Sequence, residues 1–219
     1  MTEKIDTLLK WIECVAVSAN GLFIPVSGGS DSALCFWLCA KVFPKKTVAV
    51  HAGSNLRGAE WFANVGAVEG VETPGAYEER EEMRWARFLS MSLARHAWLV
   101  GSRNRTEQLL GTYSLSSRVS TFLPLVGTWK SDVLAMARHV GVPEDILASS
   151  LRADPDCGRP KELAEIPFAS VEDFLKVRCG EVAEDASRTL SDAQIRYLDA
   201  ICIRNAFKST LPIRGPLVF

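Results

Sequence analysis

No apolar run in the 219 residues approaches the ~20 that a membrane-spanning helix requires. The first ten residues alternate charged and apolar side chains, unlike the apolar stretch of a signal peptide, so the expected location is the cytoplasm, away from any membrane. The six cysteines (Cys14, Cys35, Cys39, Cys157, Cys179, Cys202) contain no C-x-x-C pair, which excludes a disulfide scaffold and reads as reduced thiols. Charge of one sign is also missing. The 25 Lys and Arg against 26 Asp and Glu leave a net charge of −1, which argues against a basic nucleic-acid binder. Aromatic stripes interleaved with basic residues, the mark of a single-strand binder, are absent. The three histidines, His51, His96 and His139, show no metal-ligand spacing and support no nucleophile triad. Neither the Gly-Lys-Ser/Thr of a Walker loop nor a G-x-S-x-G elbow occurs.

What is there is ordinary globular material: 47% hydrophobic, 23% charged, 15 Gly and 10 Pro. The expectation is one domain over residues 1–219, large enough for one good core. Helical spacing over 2–19 is followed by a short apolar strand at 22–26, a Gly-Ser loop, and a helix stopped by Pro44. Residues 47–51 read as a second strand and 97–101 as a third. The segment 53–75 reads as Gly-rich loop with a short helix near 58–63, and 76–96 as a charged, then amphipathic helix. Another helix starts near Arg105, residues 112–121 form a Ser/Thr-rich loop, and 122–125 is a short extended piece. A helix over 129–140 ends at Gly141, and Pro143 opens the next. Residues 151–167 are irregular, and capping boxes at Ser170/Asp173 and Ser191/Gln194 open two last helices before a short extended tail. Strands alternating with helices make the class α/β, with a mainly parallel twisted sheet and helices on both faces.

The segment Ser27-Gly28-Gly29-Ser30-Asp31-Ser32 carries the most chemistry. Two glycines let backbone N–H groups form an anion nest, and the next helix aims its N-terminus at the same place. Ser27 and Ser32 add hydroxyls. Asp31 would repel bare phosphate, but it fits if Mg²⁺ stands between them, since hard cations take carboxylate and phosphate oxygens together. A fixed S-G-G-x-D-S arises by chance about once in 10⁶ starts at average composition. In parallel sheets ligands sit at the carboxyl ends of strands, where this loop and residues 101–107 both fall.

This loop resembles the pyrophosphate loop of the adenine-nucleotide α-hydrolase superfamily, and within it the ammonia-dependent NAD synthetase family. Val100-Gly101-Ser102-Arg103-Asn104-Arg105-Thr106-Glu107-Gln108-Leu109-Leu110-Gly111 is similar to that family's Gly-Thr-Gly-Asn-Lys-(Ser/Thr)-Glu-x-x-x-Gly segment. Leu123-Pro124-Leu125 with Lys130 resembles its Leu-Pro-(Leu/Ile)…Lys stretch, and Ala137-Arg138-His139-Val140-Gly141-Val142-Pro143 its Ala-Arg-x-Leu-Gly-(Ile/Val)-Pro. Asn205, Lys208 and Pro212 are similar to its C-terminal ending.

The resemblance implies an ATP-dependent, amide-forming ligase. A substrate carboxylate, deamido-NAD by family, would attack the α-phosphorus of ATP and release pyrophosphate. Ammonia would then displace AMP from the acyl-adenylate. It implies Asp31 and Glu107 as Mg²⁺ ligands and Lys130 as the neutraliser of phosphate charge. It implies ATP binding by Ser27, Gly28, Gly29, Ser30, Asp31, Ser32, Arg84, Ser102 and Lys130. It also implies a homodimer, and free ammonia or ammonia from a separate subunit, since there is no room for a glutaminase domain. The acceptor side departs from the pattern. The family's acidic Gly-rich run becomes residues 114–120, its Gly-Gln-Thr-Asp-Glu becomes Gly158-Arg159-Pro160-Lys161-Glu162, and a phosphate-contacting Thr becomes Arg152. The Asn and Gln that precede Arg84 in the family fall at Glu78 and Arg80, and the chain is shorter around 53–77. A paralogue activating a different carboxylate and a non-catalytic nucleotide-binding module therefore stand as alternatives.

Overall fold

The computed structural model describes residues 1–53, 55–71, 80–149, 161–183 and 189–210. The readings at Glu78, Arg152, Cys157, residues 158–160, Pro212 and the 212–219 tail fall outside these residues.

Helix α1 (Thr2–Ala16) is amphipathic and buries Ile5, Ile12 and Ala16. Strand β1 (Leu22–Pro25) leads into α2 (Ser30–Val42), β2 (Thr47–Ala52), α3 (Ala59–Val65), β3 (Ala67–Val71), α4 (Glu81–Ala94) and β4 (Trp98–Leu99). The sheet order is β3-β2-β1-β4, and each pairing is parallel. Each strand thus returns through a helical crossover, as parallel pairing demands. The register pairs Leu22 with Thr47 and Trp98, and Phe23 with Val48 and Leu99.

The two-residue period of β1 and β2 sorts their side chains onto opposite faces. Leu22, Ile24 and Ala49 join the core beneath α1 and α2, with Met136 and Ile146 from α6 (Lys130–His139) and α7 (Glu144–Ser149). Phe23, Val50 and Leu99 face the other way and pack under Phe88 of α4. Helices therefore cover both faces, as the alternation of elements predicts. A further cluster joins α5 (Arg105–Leu110) to α8 (Lys161–Ala164), α9 (Phe168–Arg178) and α10 (Asp192–Asn205) through Leu110, Leu163, Leu175 and Leu198. Cys35 and Cys39 are buried in the α2 core. Hydrogen bonding to Cys39 and burial push the Cys35 thiol well above its ordinary value, which suits a packing residue and not a nucleophile. Among the described residues no helix is long and apolar enough to cross a membrane.

Four local readings change, the first being Lys161–Ala164, which lies in the stretch read as irregular and forms α8. Residues 67–71, read as loop, form edge strand β3. Only Val71 of that strand is buried, so it carries little hydrophobic period, and its pairing with β2 defines it. Ser170 does not open a helix. It lies inside α9, whose N-cap is Pro167 at φ −54°, because the fixed proline ring starts the helix earlier. Within 112–121, residues Leu115–Val119 make a 3₁₀ turn closed by Ser114. The Ser191/Gln194 capping box forms as expected. Phe122 continues the sheet by a single parallel bridge to Val100 before the chain turns.

Candidate active site

The loop after β1 folds on its own residues. Gly28 sits at φ +72°, and a Cβ there would come within 2.7 Å of Arg57 Cβ, so both the dihedral and the space require glycine. Ser32 Oγ donates to Gly29 O at 3.0 Å and accepts from Ser27 N at 3.4 Å. The Ser32 hydroxyl therefore closes the loop, while Gly29, the N-cap of α2, offers no side chain to the first-turn N–H groups. Gly101, just past β4, is limited by space alone, since a Cβ would lie 2.4 Å from Leu123 Cδ2 and 2.7 Å from Ser120 Oγ.

Asp31, in the first turn of α2, is the centre of a polar cluster. Its Oδ2 accepts from Lys130 Nζ, and its Oδ1 accepts from Asn104 Nδ2 at 2.9 Å. Lys130 Nζ also donates to Ser30 Oγ at 2.8 Å, and the residue is only 6% exposed. Asn104 is the N-cap of α5. Its Oδ1 accepts from Glu107 N at 3.0 Å, and Glu107 Oε2 accepts from Asn104 N at 3.2 Å. One asparagine thus fixes both acids expected to act together. Burial, and then the nearby charge of Asp31, push the Glu107 carboxyl up to about 7, against the pull of Lys130. Two carboxylates crowded in this way are a site that a hard divalent cation would relieve. Among the described residues no group of three or more acidic, His or Cys side chains gathers to hold a metal. Oxygens from a bound substrate would have to complete the shell.

Lys130 opens α6, where the helix dipole disfavours a cation, yet its backbone is anchored. Lys130 N donates to Thr106 Oγ1 at 3.2 Å, and Thr106 Oγ1 donates to Glu172 Oε1 at 3.1 Å. Glu172, 1% exposed on α9, also accepts from Ser131 N at 2.9 Å and Ser131 Oγ at 2.5 Å. This carboxylate locks the starts of α5 and α6 together and so sets where Lys130 stands.

Beside the cluster, at the carboxyl ends of β1 and β4, opens a cavity of about 370 Å³. Ser27, Ser102, Arg84 and Glu107 line it, together with Arg103 and Tyr113. Its size suits a nucleotide-class ligand. The structure thus brings Ser27, Arg84, Ser102 and Glu107 onto one cavity. It brings Ser30, Asp31 and Lys130 into contact through one ammonium group. Gly28, Gly29 and Ser32 shape the loop between them. Asn104, Arg103, Tyr113 and Glu172 had no role assigned from sequence. Asn104 with Glu107 has the spacing of a capping box, which is a readable signal, whereas nothing local marks Glu172.

The parallel sheet, the Gly-Ser loop before α2 and the acids converging at the strand ends define a pyrophosphate-loop α/β protein. Residues 74–212 match the sequence model of the family described as NAD synthase, and the chain belongs to that family. The NH(3)-dependent NAD(+) synthetase of Thermococcus sibiricus is 25% identical over 248 residues, spanning 97% of this chain and 96% of that protein. The fold is shared with NH3-dependent NAD synthetase from Campylobacter jejuni (TM-score 0.76, 19% identity, 99% and 98% of the two chains). It is shared equally with NMN synthetase from Francisella tularensis (TM-score 0.77, 17% identity, 99% and 98%).

Proposed function

We propose that this chain is a C–N-bond-forming ligase that adenylates the carboxylate of deamido-NAD with ATP and then amidates it with ammonia. The observation that carries the reading is the Asp31–Asn104–Glu107–Lys130 cluster, built from two crossovers and α6 beside a nucleotide-sized cavity. Family membership supplies the reaction class. The reading takes residues 1–219 as one catalytic domain, working as a homodimer in the cytoplasm.

The loop of Ser27, Gly28, Gly29 and Ser30, with the α2 N-terminus, receives the triphosphate through backbone N–H groups and the helix dipole. Ser102 and Arg84 contact the nucleotide from the cavity wall. Asp31 and Glu107 would hold Mg²⁺, whose chemistry is to draw charge from the phosphates as pyrophosphate leaves. Lys130 is paired to Asp31 and Ser30, which holds its ammonium beside the loop that would receive the phosphates. In the first step a carboxylate oxygen of the acceptor bonds to the α-phosphorus while the bond to the β-phosphate oxygen breaks. In the second, ammonia adds to the acyl carbon, loses a proton, and AMP departs. Neither step needs an enzyme nucleophile, which accords with the buried, high-pKa Cys35.

The direct test incubates the protein with MgATP, ammonium and deamido-NAD and resolves NAD and AMP by chromatography. Equimolar NAD and AMP is the expected result. A parallel arm with the deamidated mononucleotide probes the smaller acceptor suggested by the Francisella relative's name. Release of AMP with another acid, and none with deamido-NAD, would keep adenylation and replace the acceptor. No AMP with any acid would leave a nucleotide-binding module.

A further inference from the structure

We propose that Arg103 is a substrate-anchoring residue of this cavity, its guanidinium taking an oxyanion, phosphate or carboxylate, of a bound substrate. The inference rests on the ligase reading and adds a specificity residue to it.

Arg103 lines the cavity between Ser102 and Glu107. Its Cζ lies 3.8 Å from the centroid of the Tyr113 ring, so the aromatic face supports the planar guanidinium. Its Nε and Nη1 are buried and have no hydrogen-bond partner among the described residues, and the same holds for Tyr113 Oη on the same cavity. Buried donors are normally satisfied, and a charged donor left without an acceptor is costly. Two such groups side by side on one cavity wall indicate an acceptor that the protein itself does not provide.

The surroundings keep this cation in place and do not neutralise it. Lys208 Nζ donates to Gly111 O at 2.7 Å and Tyr113 O at 2.9 Å, fixing the backbone that carries the ring. Arg118 Nη1 donates to Lys208 O. These neighbouring cations serve the wall. Burial, with the charge of Arg118, lowers the Arg103 guanidinium from its ordinary value, while Tyr113 and Glu107 act in the opposite direction. An arginine stays charged at neutral pH through such a shift. The family segment that residues 101–107 resemble carries glycine where this chain has Arg103, so the donor is an addition to that pattern.

The test compares Arg103→Met, Arg103→Lys and Tyr113→Phe with wild type. Calorimetry measures binding of MgATP and of deamido-NAD separately, kinetics give KM for each, and melting gives Tm. Arg103→Met is expected to weaken one of the two substrates by roughly tenfold to a hundredfold, the range of a charge-assisted hydrogen bond. The other substrate should stay within about twofold of wild type, with kcat changed less than KM and Tm not lowered, because two buried donors without partners have gone. Arg103→Lys should recover part of the loss, and Tyr113→Phe, which keeps the ring, should lose less. A shift confined to MgATP assigns the oxyanion to the nucleotide. One confined to deamido-NAD assigns it to the acceptor. Unchanged binding of both, or equal losses in both with a lowered Tm that lysine does not restore, makes Arg103 a packing residue and overturns the proposal. Binding is read without turnover, so a wild-type protein that binds MgATP yet releases no AMP with any acid would defeat the ligase reading alone.

Discussion

Asn104 Nδ2 donates to Asp31 Oδ1 at 2.9 Å, joining two residues 73 positions apart, while the same side chain caps α5 through Glu107 N. The amide has one donor group and one acceptor, and each is given to a different acid's element. Aspartate at 104 would keep the cap and lose the donor. Alanine would lose both.

Asn104→Ala should therefore lower stability by about 1–2 kcal/mol, the worth of an N-cap. It should also cut AMP formation by at least about tenfold, by freeing Asp31 from Glu107. Asn104→Asp should recover much of the stability and little of the activity, since a third negative charge enters the cluster. Denaturant melts and AMP release on the pair of variants separate the two effects. An Asp variant as active as wild type would remove the positioning role.

Asp31→Asn should leave the fold intact and abolish AMP formation. The amide oxygen can still accept from one of the two donors, Lys130 Nζ or Asn104 Nδ2, which now bond to different carboxylate oxygens, but it offers no charge to a cation. Near-normal turnover would remove the metal assignment. Lys130→Met tests the other half. It leaves the Asp31 carboxylate without its buried partner, which should cost about 3 kcal/mol of stability and slow pyrophosphate release by about a hundredfold or more.

The contrast between these residues shows what the chain makes legible. Asp31 and Glu107 announce themselves because each sits in a short motif at a strand end, where parallel sheets hold ligands. Strand β1 was readable because 22–24 is a buried apolar run bounded by Gly21 and the loop. β3 was not readable, because an edge strand half open to solvent has no hydrophobic period of its own. Glu172 was invisible for a different reason. Its partners, Thr106 and Ser131, are 66 and 41 positions away, and nothing in the α9 sequence marks one of its carboxylates as buried. Arg103 could be read as a departure from a pattern, but only the fold shows that its guanidinium lies against Tyr113.

Glu172→Gln is expected to lower stability by roughly 2–4 kcal/mol, since one amide oxygen must replace a carboxylate that accepts three hydrogen bonds. The activity lost should be in kcat more than in substrate affinity, because Lys130 is displaced and no cavity-lining group is removed. Melts and steady-state kinetics on one preparation test both halves. A fall in KM-dependent terms alone would point to a direct role for Glu172.

The Glu107 carboxyl makes stability depend on pH in a direction that can be worked out. Its folded value, about 7, lies above the 4.5 of an unperturbed glutamate. Below about pH 4.5 both folded and unfolded chains carry the proton, and the group contributes nothing. Between the two values the folded chain binds more protons than the unfolded one, so stability falls as pH rises. Above about pH 7 the penalty is complete, on the order of 3 kcal/mol. Glu107→Gln keeps an oxygen to accept from Asn104 N and removes the charge, so in a chelator it should melt like wild type near pH 4 and more stably at pH 8. A difference between the two proteins that does not vary with pH would show that desolvation of this carboxylate is not the cause. The same variant should be inactive, because the charge that destabilises the folded chain is the one a divalent cation would use. A gain in stability coupled to a loss of turnover at one atom group is what distinguishes a strained functional site from a packing defect.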